Sequence, residues 1–226
     1  MSSPLIIGTD VRTLTAPNLA IYLNPAVIAL NQGTSAPTTF GTVSPDTDSN
    51  ILDASASAAF RIWRSVCNDT DVNGQCETAL WVRQLANGDF AIALVNGANS
   101  TANLTATASD IFTYQDLTGT SRPSTQLASS WDVYDLWGSR ISNAEAQGII
   151  MANSTTGALV QSNSTTRYNA TAMSYADGIA AGAPALFGTK VATMQPGGQV
   201  QAQVGRHGVG LFRLRQVQAV TRRDEL

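Results

Sequence analysis

Thr78-Ala79-Leu80-Trp81-Val82-Arg83-Gln84-Leu85, then Asn87-Gly88-Asp89, then Phe90-Ala91-Ile92-Ala93-Leu94-Val95-Asn96 follow one another almost without interruption. Both flanking runs are rich in residues that suit a pleated surface, and they largely alternate. Asn-Gly between such runs is a strong short-range signal for reversing a strand. The stretch therefore reads as two antiparallel strands joined by a tight turn. Residues 59–66, 131–137, 199–205 and 207–214 have the same character, with turn signals at Asn73-Gly74, Asn96-Gly97, Gly138 and Pro196-Gly197-Gly198. Many short strands with this punctuation predict an antiparallel β-sandwich over residues 58–216. Residues 139–198, rich in small residues, read as an elaborated and partly irregular insertion.

Upstream the pattern changes. Residues 4–8 are a continuous apolar run, as in a strand buried on both faces. Thr15 is a candidate N-cap with Pro17 in the first turn, and Ala16, Leu19, Ala20 and Leu23 follow at helical spacing. Asn24-Pro25 stops that helix and caps a second, where Val27, Ile28 and Leu30 are apolar. Residues 1–32 thus form one strand-and-helix unit of a parallel α/β architecture. Residues 33–57, with Gly33, Pro37, Pro45 and the Asp46–Asn50 polar run, are a linker or long loop. Residues 217–226 are a polar tail. A parallel strand buried on both faces needs neighbours, so the unit reads as the remnant of a larger barrel. Its apolar edge at Leu5–Ile7 and the Leu19/Leu23 helix face are expected to be exposed, and self-association through them is expected.

Composition narrows the classes. Hydrophobic residues make up 43% of the 226 and charged residues only 13%, with a net charge of −3. Nucleic acid is excluded as a partner, because binding it needs a clustered basic face. The one basic cluster, Arg213, Arg215, Arg222 and Arg223, reads as solvated. No apolar run is long enough to span a membrane. Asn68, Asn99, Asn103, Asn153, Asn163 and Asn169 each open an Asn-x-Ser/Thr triplet. Six such sequons point to the secretory pathway or the extracellular space, and to exposed segments. Cys67 and Cys76 flank Asn73-Gly74, so a disulfide across that hairpin is geometrically easy and would stabilise by about 2–3 kcal/mol on the chain-entropy model. Two free buried thiols are the alternative. The final Arg223-Asp224-Glu225-Leu226 is close to a Lys-Asp-Glu-Leu retention signal of the endoplasmic reticulum, with a chance polar tail as the other reading. No signal peptide opens the chain, so sequons with a retention-like tail read as a protein missing its front.

Chemistry-bearing residues are few. His207 is the single histidine and lies in a strand-like segment beside glycines, so a packing role is favoured over a catalytic base. Asp69, Asp71, Asn73 and Gly74 match the first half of a calcium loop, but Leu80 stands where a bidentate Glu belongs. The hairpin accounts for the same residues without a metal. Trp63, Trp81, Trp131 and Trp137 are read as core, with a sugar-stacking platform as the minority reading. No catalytic residue, cofactor or metal is expected.

One N-terminal block and three later regions carry a resemblance. Ser3–Asp10, Asn18–Ile21 and Asn24–Gln32 are similar to the last barrel strand and helix of melibiase-type α-galactosidases, glycoside hydrolase family 27, over about thirty residues. Arg61-Ile62-Trp63 and Leu80–Leu85 with Asn87–Asn96 resemble the opening strands of that family's C-terminal sandwich. Val133–Trp137 resembles its Asp-Leu-Trp strand, and His207–Leu214 its closing strand. Gly33 departs from the family's Asp-Pro, and residues 139–198 are longer than its pattern. The resemblance implies a mainly β fold: an antiparallel β-sandwich of the α-galactosidase C-terminal type, preceded by a single βα remnant of a (β/α)8 barrel. It also implies hydrolysis of terminal α-linked galactose with retention, by two carboxylates about 5–5.5 Å apart. In the family these follow the fourth and sixth barrel strands, so neither falls in this chain, which begins at the eighth. Asp10 would face the barrel mouth as a rim residue. The α-galactoside would then be met only through the barrel, and the chain itself would be structural. A lectin-like carbohydrate-binding sandwich is the alternative.

Overall fold

A computed structural model describes residues 14–32, 60–66, 77–85, 88–115, 121–156, 168–170 and 172–217. Two helices come first, α1 (Ala16–Tyr22) and α2 (Pro25–Gln32). The strands β1 (Phe60–Val66), β2 (Glu77–Gln84), β3 (Phe90–Asn96) and β4 (Ala102–Thr107) follow, then the short helix α3 (Ala108–Phe112) and the hairpin of β5 (Thr113–Gln115) and β6 (Ser121–Pro123). After β7 (Trp131–Asp135) come α4 (Asn143–Thr156) and α5 (Tyr175–Ala180), and then β8 (Thr189–Met194), β9 (Gln199–Val204) and β10 (Gly208–Gln216).

Six strands form one antiparallel sheet in the order β1-β2-β3-β10-β7-β8, and β4 pairs with β9 in a second layer. The main core lies between the layers. Leu80, Val82, Phe90, Ile92, Leu94, Val133, Phe212 and Leu214 face Leu104, Ala106, Val200 and Val204 across it. The period of two along each strand delivers this: alternate residues of β3 and β10 share one face, and the register pairs Ile92 with Phe212 and Phe90 with Leu214. Helix α3 closes one end of the core through Ile111 and Phe112, fixed by a capping box in which Thr107 and Asp110 satisfy each other's backbone amides. Trp131 is 1% exposed and stacks on Phe112 at 4.8 Å, with Phe90 edge-on at 5.5 Å.

Two devices fasten the layers. Asn96 is buried at the end of β3. Its Oδ1 accepts from the Ala98 amide, and its Nδ2 lies within 3.0 Å of the carbonyls of Ser100, Val204 and Gly205. One amide side chain therefore ties the end of one layer to the end of the other. Gly210 does the complementary work by absence of bulk. A Cβ there would stand 3.1 Å from the Phe212 ring and 3.4 Å from Ala202 and Val204 of β9, so the crowding that glycine avoids is chiefly against that ring.

The sheet's other face is also covered. Asn24 is wholly buried, its Oδ1 capping α2 through the Ala26 and Val27 amides while its Nδ2 donates to the Leu136 carbonyl. Ala26, Val27 and Leu30 of α2 then pack with Ala93, Leu136, Leu211 and Trp137. Helix α1 turns its Ala16, Leu19, Ala20 and Leu23 face onto Ile141, Ala146, Ile149 and Ile150 on and just before α4. That face was expected to be exposed; the chain covers it itself, because residues 139–198 supply the helix that fits it.

Several sequence expectations need redrawing. Residues 139–198 hold α4, α5 and β8 and are not simply an irregular insertion. The predicted strand 131–137 stops at Asp135, whose carboxylate caps a 3-10 turn at Leu136–Ser139 by accepting from the Trp137 amide. Strands β4, β5, β6 and β8 were not expected. Leu5–Ile7, Asp10, the 33–57 segment, Cys67, Cys76, the Asp69–Gly74 turn and the 218–226 tail lie outside the described residues.

Trp131 fills a site with aromatic neighbours on two sides, so its removal leaves a large void. Trp131→Ala is expected to lower unfolding free energy by about 3–5 kcal/mol, read from the shift of the denaturant midpoint at unchanged slope.

Candidate functional site

The outer face of the six-stranded sheet is where charge is concentrated in the interior. The antiparallel register lines up Arg83 of β2, Ala91 of β3, Arg213 of β10 and Tyr134 of β7 in one row across the sheet. Arg213 is 2% exposed. Its Nε and a terminal nitrogen both reach Oδ2 of Asp89, at 2.7 and 2.6 Å. Asp89 is itself buried, held at the mouth of β3 by its carbonyl accepting from the Leu85 amide. The guanidinium groups of Arg213 and Arg215 lie over the Phe187 ring at 4.5 and 4.7 Å. Phe187 belongs to the 139–198 segment, where it packs with Ala29 of α2, Ile179 of α5 and Leu186. Arg83 donates to the Leu30 carbonyl near the end of α2 at 2.9 Å.

Burial works against every charge here. It pushes the Asp89 carboxyl above its ordinary value, opposed by the attraction and hydrogen bond of Arg213 and by the charge of Arg215. It lowers Arg213 likewise, opposed by Asp89, and it lowers Arg83. A guanidinium does not give up its proton in such a site, so Arg213 stays a cation and Asp89 is the group whose charge makes that tolerable. Arg213 was expected to be solvated with its neighbours. The legible sign to the contrary was its position inside the apolar run Leu211-Phe212-Arg213-Leu214.

The described aspartates are all engaged in holding structure. Asp89 pairs with Arg213, Asp110 completes the capping box, Asp135 caps the following turn, and Asp177 accepts from the Ser174 hydroxyl at the start of α5. Asp132 meets Lys190 at 2.7 Å and the Thr193 hydroxyl at 2.7 Å. Burial alone would raise its carboxyl, but Lys190 and Thr193 together hold it below the ordinary range.

The sequence-nominated residues scatter. Trp131 is in the core, while Trp137 packs beside α2 and donates its indole N–H to the Val209 carbonyl. Trp81 is half-buried on β2. Trp131 is thus removed from any sugar platform. His207 is in a turn, not a strand, at φ +49, with its Nε2 2.8 Å from Oδ1 of Asn99. Asn99, Asn103 and Asn169 are exposed, and Asn153 lies on α4. Asn68 and Asn163 are outside the described residues.

Relatives account for this architecture. The family described as alpha galactosidase C-terminal beta sandwich domain matches residues 75–166. An α-galactosidase of Saccharomyces paradoxus is 40% identical, over 95% of this chain and 39% of its own length. One of Torulaspora delbrueckii is 38% identical with the same coverage. The solved α-galactosidase of Saccharomyces cerevisiae matches with TM-score 0.72 at 34% identity, over 95% of this chain and 40% of that one. Over nearly its whole length the chain matches the C-terminal part of melibiase-type α-galactosidases, glycoside hydrolase family 27. It spans about two fifths of the length of the curated relatives it matches.

Within this α-galactosidase sandwich the two aspartate pairs should behave differently. Arg213→Met leaves a buried carboxylate alone, with an expected loss of about 3–5 kcal/mol at neutral pH. An unpaired buried carboxyl titrates above its unfolded value, so the folded chain holds that proton more tightly. Stability then falls as pH rises through the interval between the two values, and the loss should shrink when unfolding is measured at acid pH. Asp132→Asn, on the half-exposed Lys190 pair, should cost less than about 1 kcal/mol.

Proposed function

We propose that this chain is the non-catalytic structural sandwich of an α-galactosidase, and that the complete enzyme hydrolyses terminal α-D-galactosyl residues. The observation that carries this is the similarity to a yeast α-galactosidase along 95% of the chain, together with the commitment of each described aspartate to a cap or an ion pair. A glycosidase of this chemistry needs two carboxylates free to act on one bond. What the outer sheet face offers instead is a packing surface: α2 is laid on it through Asn24, Leu30 and Arg83. The sandwich thereby anchors the helix that the resemblance assigns to the end of the barrel.

A secretory route belongs to the same proposal, supported by three exposed sequon asparagines and by the ease of a Cys67–Cys76 bridge, with the Arg223–Leu226 tail as a retention signal. Self-association, if residues 4–8 mediate it, has lost the Leu19/Leu23 face as a contributor.

Two preparations test the proposal. The chain alone, incubated with an α-galactoside, should release no galactose above the buffer blank. A chimera in which it replaces the matched part of the Saccharomyces paradoxus α-galactosidase should fold and hydrolyse the same substrate. Galactose release by the chain alone contradicts the structural role, and a folded but inactive chimera contradicts the family function. Saturable binding of galactose by the isolated chain would favour the lectin-like alternative.

A further inference from the structure

One sequon asparagine, Asn99, meets a histidine from another turn. It lies in the turn between β3 and β4, exposed, with its Oδ1 2.8 Å from Nε2 of His207 in the turn between β9 and β10. The two turns are also joined through the backbone, where the His207 amide donates to the Ala98 carbonyl at 3.2 Å. His207 holds φ +49, a left-handed conformation that histidine tolerates better than most residues but that is still uncommon. With Nε2 protonated, the ring donates to the amide oxygen of Asn99. Three residues away Asn96 makes the opposite use of the same side chain, with a buried Nδ2 spent on backbone carbonyls. At Asn99 the engaged atom is the oxygen, which leaves Nδ2 outside the contact.

That division matters chemically. N-glycosylation joins C1 of a sugar to Nδ2. The donor is a lipid-diphosphate-linked oligosaccharide, Nδ2 loses one proton, and the lipid diphosphate leaves. The carbonyl oxygen keeps its lone pairs, so a hydrogen bond from His207 survives the modification. Resting on the secretory route proposed above, we propose that Asn99 is an occupied N-glycosylation site and that His207 is its positioning residue, holding the linking amide so that the glycan stands off the junction of the two turns. Asn103, equally exposed on β4, has no such side-chain partner among the described residues and serves as an internal standard.

The test uses the full chain secreted from a glycosylating eukaryotic host. Enzymatic release of glycans in heavy-oxygen water, followed by peptide mass spectrometry, should mark Asn99 as converted to aspartate with the label. Recovery of Asn99 unmodified overturns the proposal. For the positioning role, an amidase that cleaves the Asn–glycan bond is applied to the native protein, and release at Asn99 is compared with release at Asn103. His207→Gly keeps the positive φ without strain and removes the ring, so the turn is preserved. Release at Asn99 should then speed up about fivefold relative to Asn103, the equivalent of one hydrogen bond. His207→Asn, which tolerates the same backbone and offers a donor, should restore part of the protection. Equal relative rates in the parent and His207→Gly proteins would contradict the positioning role even with Asn99 occupied.

Discussion

Asp89 and Arg213 meet where three parts of the chain converge: the entrance to β3, the middle of β10, and the Phe187 ring delivered by the segment between β7 and β8. A guanidinium this buried must be paired, and the pair must be roofed, or water would reach it and the packing around it would open. This requirement ties the outer sheet face to its cover. Phe187 reaches Ala29 of α2, Arg83 reaches the carbonyl of Leu30, and Asn24 reaches the carbonyl of Leu136. The sandwich is therefore a three-layer object, with an aliphatic and aromatic core on one side of the sheet and, on the other, an apolar interface pinned by a few buried polar bonds.

The two sides use different physics. Between the sheet and the β4–β9 ribbon the driving force is apolar burial, and its geometry follows from the period of two along each strand. On the outer face, directional bonds to backbone carbonyls from Asn24 and Arg83 set where α2 lies. Such bonds contribute modestly to net stability but are costly to leave unmade, so they specify position more than they supply energy.

The hairpin of β2 and β3, the β10 strand and both N-terminal helices were legible because their side chains repeat at clear periods; of the two expected caps, Asn24 bonds the start of α2, while Thr15 sits at the N-cap of α1 without a side-chain bond to it. Asn24-Pro25 announced the break and restart that the structure shows. β4 was harder: its inward residues are Ala102, Leu104 and Ala106, two of them too small to mark an alternation, and its outward ones include a sequon. β8, Thr189–Met194, is an edge strand exposed along nearly its whole length, so it has no apolar signature to read. The Asp89–Arg213 pair joins residues far apart in sequence, and neither local pattern names the other. Arg213 was misjudged because a charged residue near a terminus is ordinarily solvated; only its place inside an apolar run argued otherwise. Of the four tryptophans read as core, Trp131 is buried with its indole donating to the Gln126 carbonyl, Trp81 and Trp137 are half-buried, and the Trp63 side chain lies outside the described ones.

If α2 and the sandwich are one cooperative unit, they should open together. Native-state hydrogen exchange on the full chain measures this directly, following the amides of Ala29 and Leu30 beside those of Ile92 and Leu214 as denaturant is raised. The structure predicts that the α2 amides merge with the core amides into a single denaturant-dependent opening. Exchange of α2 through low-energy openings indifferent to denaturant, while β3 and β10 stay protected, would show that the helix is only resting on the sheet and would contradict the account.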